Sequence, residues 1–251
     1  MIDSHCHLTD PFYCGGEQII KSMAKDGLEA LVTVGYDAET SAECARLAAK
    51  YDGVYATAGI HPSEIKSEND MDKVLPLLSL PKVVALGEIG LDYHWDDVPR
   101  DVQKRVFEMQ LDAACSYNVP VVIHSRDCDG DMFPILKSWY RRLPKGLVMH
   151  CFSSSAELAR EYVKMGFYVS FAGPVTFRNA KRGDAIRAVP DELLLAETDS
   201  PYLTPVPHRG ERNYPAFVRY VIDKLAEERQ TDPEKMEHIT SENARRFYGI
   251  K

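Results

Sequence analysis

No apolar run in this chain approaches the roughly 20 residues needed to cross a bilayer. No C-x-x-C pair occurs either. The six cysteines (Cys6, Cys14, Cys44, Cys115, Cys128 and Cys151) are scattered along the chain, whereas a disulfide framework belongs mainly to small secreted domains. Free thiols in a reducing compartment are the expectation. There is no low-complexity segment and no linker dividing two halves. The opening Met1-Ile2-Asp3-Ser4-His5 has neither the basic region nor the apolar core of a signal peptide. These absences point to a cytoplasmic location, with no membrane partner and no obligate protein partner. Positive charge is also in short supply. The net charge of −8 fits poorly with the basic field that nucleic-acid binders usually carry.

What is present is one pattern repeated from end to end. Short apolar, β-branched segments occur at 30–35, 54–59, 83–87, 119–124, 147–150, 168–171 and 193–196, and residues 1–5 make an eighth. Their unbroken apolar character predicts parallel strands buried on both faces. Helical periodicity fills the gaps. Val102, Val106, Met109 and Ala113 form one stripe beside Phe107, Leu111 and Ala114, and Leu158, Tyr162 and Met165 share a face. Eight strands alternating with helices predict a parallel α/β fold. The strand count and the 251-residue length favour a closed (β/α)8 TIM barrel over an open sheet, with residues 1–251 as a single domain. Residues 201–215 read as a long loop, and helices near 216–228 and 233–248 finish the chain, the last an extra C-terminal helix.

The chemistry clusters by position. His5 and His7 are expected to end strand one, His61 strand three, Glu88 strand four, His124 strand five and His150 strand six. Asp199 follows strand eight. That is the rim on which TIM-barrel enzymes carry their catalytic groups. Each residue has an ordinary reading when taken alone. A His-x-His pair on one strand face can be two polar residues, Glu88 a rim salt bridge, His124 and His150 hydrogen-bonded core histidines, and Asp199 a helix cap before Ser200-Pro201. Four imidazoles and two carboxylates at one mouth change that reading. They suit borderline divalent cations such as Zn²⁺, Mn²⁺ or Fe²⁺, and six ligands exceed the needs of one tetrahedral zinc. Two metals sharing a carboxylate follow.

Several motifs then form an ordered set. They are Met1-Ile2-Asp3-Ser4-His5-Cys6-His7-Leu8, Gly59-Ile60-His61-Pro62, Gly87-Glu88-Ile89-Gly90-Leu91-Asp92-Tyr93, Pro120-Val121-Val122-Ile123-His124-Ser125-Arg126, His150-Cys151-Phe152-Ser153, Glu197-Thr198-Asp199-Ser200-Pro201-Tyr202 and Glu242-Asn243-Ala244-Arg245-Arg246-Phe247. The set resembles the TatD family of metal-dependent hydrolases over essentially the whole chain. Gly210-Glu211-Arg212-Asn213-Tyr214-Pro215 also keeps the spacing of that family's loop after strand eight. The resemblance implies a TIM barrel of the amidohydrolase superfamily with metal-dependent nuclease activity.

Resemblance and chemistry together imply roles. His5, His7 and Asp199 would hold one divalent metal (Zn, Mg or Mn), and His124 and His150 the other, with Glu88 bridging. Asp199 would act as general base on a water acidified by the cations. His61 would hydrogen-bond a substrate phosphoryl oxygen, or shape the turn before Pro62. Glu197 and Asp92 would support the ligands from behind. Arg126 and Arg212 on loops would bind substrate, with Arg178 and Arg209 as further phosphate partners or solvated charges. Cys6 alternates with the histidines and should point away. The leading expectation is a deoxyribonuclease trimming strand ends, with nucleic acid as partner and DNA ahead of RNA. An amide or ester hydrolase on a small molecule is the alternative. A barrel kept only for interaction is disfavoured by the intact ligand set. The acidic charge weighs against long duplex binding, and less against a grip on a few terminal nucleotides.

Overall fold

The computed structural model describes residues 1–95 and 97–250. Eight strands, β1 (Ile2–Cys6), β2 (Ala30–Val34), β3 (Val54–Ala58), β4 (Val83–Asp92), β5 (Val121–Arg126), β6 (Leu147–Met149), β7 (Tyr168–Phe171) and β8 (Leu194–Ala196), form one sheet in chain order. Every neighbouring pair is parallel. Around them lie α1 (Glu17–Ser22), α2 (Ala38–Lys50), α3 (Met71–Val74), α4 (Arg100–Tyr117), α5 (Asp129–Trp139), α6 (Ala156–Lys164), α7 (Gly183–Ala188), α8 (Val218–Arg229) and α9 (Pro233–Tyr248). The sheet closes on itself where Cys6 bridges Ser200 in parallel, His7 N–H donates to Ser200 O at 2.8 Å and Asp199 N–H donates to His5 O at 2.9 Å. This is the (β/α)8 barrel expected from the strand count. None of the helices is long and apolar enough to cross a membrane among the described residues.

Strands buried on both faces are apolar throughout, as β2 shows with five buried residues, Ala30–Val34. The large core lies between sheet and helices. A second cluster joins Ile2, Val32, Val34, Ala85, Val122, Val148 and Leu195 from the strands to Ala244, Phe247, Tyr248 and Ile250 at the chain's end. The last helix thus plugs the barrel, and Tyr248 OH donates to Ser4 O at 2.9 Å. Its bounds follow local chemistry. Asp232 accepts from the N–H groups of Glu234 and Lys235, Pro233 takes the first position, and Gly249 ends it in the left-handed region.

Two expectations need correction. Strand four does not end at Glu88. It runs on to Asp92, pairing Gly90 with His124 and Asp92 with Arg126, so Arg126 is the last strand residue of β5 and not a loop residue. Glycine permits this close pairing, because a Cβ on Gly90 (φ +146°) would lie 2.0 Å from His124 O. The α4 stripe is also different, since Met109 is exposed while Gln103 and Gln110 are buried. Apolar periodicity missed these two because they are polar, although a spacing of seven residues puts them on one helix face. Gln110 accepts from Ile60 N–H (2.9 Å) and donates to Ile60 O (3.0 Å). Gln103 accepts from Asp92 N–H (2.9 Å) and donates to Asp92 O (2.9 Å) and Val98 O (3.0 Å). One helix therefore clips the backbone beside His61 and at Asp92. On α6, Tyr162 is buried with Ala156 and Ala159, whereas Leu158 and Met165 are only half-buried.

Gln110→Leu keeps most of the volume and strips both partners from Ile60. A buried backbone group left unpaired costs about 1–3 kcal/mol. Urea unfolding should therefore show a loss of at least about 2 kcal/mol. A loss near zero would mean that Ile60 finds other partners.

Candidate metal centre

The expected ligands meet at the C-terminal end of the barrel. His5 Nε2 lies 3.3 Å from His7 Nε2 and 3.6 Å from Asp199 Oδ1, and His7 Nε2 lies 3.2 Å from Asp199 Oδ1. For metal–ligand bonds of about 2.0–2.1 Å, the edge of a tetrahedron is about 3.3–3.4 Å. These three atoms have the spacing of one face of such a site. The second group is His124 Nδ1 and His150 Nε2, 3.4 Å apart, with Glu88 Oε1 2.7 Å from the former and 2.6 Å from the latter. The two oxygens of Glu88 divide between the groups, since Oε2 faces His5 at 3.4 Å and His7 at 3.8 Å. The rings of His5 and His150 stack with centroids 4.0 Å apart.

The outer nitrogens decide what the inner ones can do. His7 Nδ1 is 3.1 Å from Val34 O, which can only accept, so this nitrogen carries the proton and Nε2 presents a lone pair. His150 Nδ1 faces Glu197 Oε1 at 3.1 Å, and His124 Nε2 faces Asp92 Oδ2 at 3.0 Å. Both are carboxylate–imidazole pairs of the kind that orient metal ligands and raise their basicity. Three imidazoles thus turn lone pairs into the cluster, His7 on the Asp199 side and His124 and His150 on the Glu88 side. His5 Nδ1 is buried without a hydrogen-bond partner among the described residues, which leaves its Nε2 as the nitrogen with company. The donor set fits divalent metal binding.

The field at this point is negative. Burial by itself would drive protons off His150 and His124, yet Glu88 and Glu197 hold His150 well above its ordinary range, and Asp92 and Glu88 raise His124. His7 is raised in the same way by Asp199. Burial pushes Glu88 upward, but His150, His124 and His5 hold it well below the usual carboxylate range. Asp199 is likewise lowered, against burial, by His7 and His150. A site that favours protonated imidazole also favours a cation. His5 and His61 differ, for burial and neighbouring His150 lower His5, while burial and neighbouring His124 push His61 down to about 3. His61 Nδ1 accepts from Ser63 N–H at 3.2 Å, so the neutral ring carries its proton on Nε2, 3.9 Å from Glu88 Oε1. The same contact shapes the turn at Pro62, the second of the two readings of His61. His61 also forms a third potential ligand group with Asp92 and His124.

A cavity of about 740 Å³ opens onto the cluster and is lined by His7, His61, Glu88, Asp92, His124, His150 and Asp199 together with Tyr36, Trp95, Arg126, Tyr202 and Leu203. Arg126 stands at its rim with its guanidinium 5.7 Å from the Trp95 ring. Arg212 does not line it. It donates to Phe12 O at 2.6 Å and faces a separate cavity of about 850 Å³ with Phe12 and Tyr214. Arg178 and Arg209 line a third of about 390 Å³, which shares only Pro174 with the first. Asp199 caps no helix, because the loop after it reaches Pro215 without one. Cys6 is buried, with its thiol 3.5 Å from Val32 O and away from the ligands.

Sequence reasoning missed what holds Asp199 in place. The buried Asp3 carboxylate accepts from Thr198 Oγ1 (2.6 Å), Thr198 N–H (2.9 Å) and His5 N–H (3.3 Å). Asn213 donates to Thr198 O (2.9 Å) and Tyr202 O (2.6 Å), closing the turn from outside. The signal was in the motifs, for Asp3 lies in the first, two residues before His5, and Asn213 sits in the loop after strand eight. Trp95 on the rim was also passed over.

Comparison with known proteins follows the same lines. The profile of the TatD related DNase family matches residues 2–249. An uncharacterized metal-dependent hydrolase of Bacillus subtilis, YabD, is 42% identical over 254 residues, covering 100% of this chain and 99% of that protein. A protein of Citrobacter rodentium named 3'-5' ssDNA/RNA exonuclease TatD is 32% identical, covering 100% of this chain and 98% of its own. The crystal structure of YjjV, a TatD homologue of Escherichia coli K12, superposes with a TM-score of 0.93 at 30% identity, covering 100% and 98% of the two chains.

Thr198→Val should test the support beneath Asp199. It removes the hydroxyl that donates to Asp3 and accepts from Ser200 N–H at 3.1 Å. Two buried polar groups lose a partner, for an expected loss of about 2–4 kcal/mol in denaturant unfolding. A change below about 0.5 kcal/mol would show that Asp3 is satisfied by its other donors.

Proposed function

This chain belongs to the TatD family of metal-dependent hydrolases, and from that premise we propose that it cleaves phosphodiester bonds at the ends of single-stranded nucleic acid, DNA ahead of RNA, with two divalent cations at the barrel mouth. The observation that carries this reading is the division of the Glu88 carboxylate, with one oxygen towards His5 and His7 and the other towards His124 and His150. A shared carboxylate is what two neighbouring cations require. End-trimming of single strands draws on relatives named as ssDNA/RNA exonucleases.

His5 Nε2, His7 Nε2 and Asp199 would hold one cation, and His124 Nδ1 and His150 Nε2 the other, with Glu88 between. Bound there, divalent cations supply Lewis acidity and bring the pKa of a coordinated water down to near neutral. The chain's own residues do the rest. Asp199 is kept anionic by its histidines, and its carboxylate takes the proton of the attacking water and returns it to the departing sugar oxygen. His61, neutral and with Nε2–H turned to the cavity, donates to a phosphoryl oxygen as charge builds there. Arg126 offers a planar fork to a second phosphate oxygen at the rim. Glu197 and Asp92 fix His150 and His124 from behind. Because only a few phosphates need be gripped, the net charge of −8 is compatible with an anionic substrate.

Two measurements test this. Elemental analysis after reconstitution should find two divalent cations per chain, and a saturated protein with one would remove Glu88 from its bridging role. End-labelled oligonucleotides supplied with Mg²⁺, Mn²⁺ or Zn²⁺ should shorten progressively, and chelator should stop the reaction. Asp199→Asn should lower turnover on the order of 10²–10⁴-fold with thermal unfolding nearly unchanged. His61→Ala should reduce kcat more than it raises KM, and Arg126→Ala should do the reverse. No cleavage with any metal, beside metal-dependent turnover of an amide or lactone, would overturn the nuclease reading.

A further inference from the structure

The rim of the metal-facing cavity carries exposed apolar surface that the chemistry above does not use. Trp95 is 53% exposed, Tyr202 48% and Leu203 38%, and all three line this one cavity. An exposed indole at the mouth of a polar site is unusual, since tryptophan is normally highly buried. Trp95 lies three residues after Asp92, whose Oδ1 accepts from His94 N–H at 2.9 Å and whose Oδ2 faces His124. The His94 ring meets the indole edge-on at 4.7 Å, and His94 Nδ1 is itself 3.2 Å from Asp127 Oδ2. The indole thus follows directly on the turn whose Asp92 carboxylate orients a candidate ligand. The guanidinium of Arg126 lies 5.7 Å from its centroid. Across the cavity Tyr202 is anchored through its hydroxyl to Asp10 at 2.5 Å, with its ring 6.1 Å from that of His7.

We propose that Trp95 is the platform on which an unstacked nucleobase of the substrate lies, while Arg126 beside it takes the phosphate of the same strand. This rests on the phosphodiesterase reading and adds to it the residue by which single strands are selected. Every base has a π-face, so such a platform tolerates any sequence. In a duplex the internal bases have both faces covered and the terminal base is held by its pair, so seating it on the platform requires unpairing, a cost that a single strand is spared. Selection for single strands then follows from aromatic geometry at the rim and does not require a groove read by many cations. A small amide or lactone has no use for this arrangement.

The chain has two tryptophans, and the other, Trp139 on α5, is 8% exposed in the core. Intrinsic fluorescence therefore reports mainly on Trp95 when a ligand enters. The metal-loaded enzyme should be titrated with a phosphorothioate-linked thymidine octamer, and with an octamer of tetrahydrofuran abasic units carrying the same backbone. The base-bearing strand should quench the emission and the abasic one should not. In hydrolysis, kcat/KM for the ordinary thymidine octamer should exceed that for the abasic octamer by on the order of tenfold, the size of one base–aromatic stack. Trp95→Ala should bring that ratio to within about twofold, and Trp95→Phe should keep most of it. Equal hydrolysis of both octamers by the wild-type enzyme, with the ratio unmoved in Trp95→Ala, would overturn the platform while leaving the nuclease reading intact. If neither octamer were cut under any metal and neither quenched, both readings would fall together.

Discussion

Everything at the mouth of this barrel depends on the seam between its first and last strands. The seam is made of few atoms, namely the hydrogen bonds from Asp199 N–H to His5 O and from His7 N–H to Ser200 O, flanking the Cys6–Ser200 bridge. Residues about 190 positions apart in the chain are thereby set side by side. Asp199 pays a backbone cost to be there, with φ of +54°, a region that aspartate visits more readily than most residues. Asp3 from inside and Asn213 from outside hold the turn on either side of it. No part of the barrel short of complete closure can bring the His-x-His pair to its carboxylate, so this half of the site exists only in the finished fold.

The mouth also concentrates charge. Glu88, Asp92 and Glu197 are each at most 3% exposed, and carboxylates are rarely buried without paired partners. Here the partners are imidazoles, which answer in two ways. A histidine can hold a proton and neutralise its neighbour, or turn a lone pair to a cation while its other nitrogen serves the outer carboxylate. Glu197, Asp92 and the Val34 carbonyl each occupy an outer nitrogen, which favours the second arrangement for His150, His124 and His7. The protons that these rings attract without a metal mark where positive charge is wanted.

Much of this was legible in the sequence, for identifiable reasons. Parallel strands buried on both faces are apolar without interruption, so their positions stood out, and the candidate ligands fall within about four residues of their C-terminal ends. Strand four escaped because its apolar run stops before the charged Glu88, whereas Gly87 and Gly90 let β4 run close to its neighbour past that residue. Gln103 and Gln110 escaped because an apolar stripe cannot register a buried amide whose partners are backbone groups on another element. Arg212 shows a different limit. The loop motif was read through its charge, yet the residue that ties the loop to Asp199 is the neighbouring Asn213, through hydrogen bonds that no charge pattern foretells. Long-range polar contacts are fixed by the fold, and only then by residue type.

The acidic character of the chain stops being a difficulty once the source of affinity is considered. Binding built on phosphate neutralisation needs many cations and weakens steeply with salt, in proportion to the number of contacts. Charges elsewhere on the surface matter little at the mouth, because ordinary ionic strength screens them beyond about 8–10 Å. What counts is local, and locally one exposed arginine, one neutral imidazole donor and three exposed apolar side chains surround the histidines and carboxylates. Stacking is indifferent to salt by comparison and asks only for a free base. On the proposed reading, an acidic barrel equipped in this way would gain little from the length of a nucleic acid and most from its loose end.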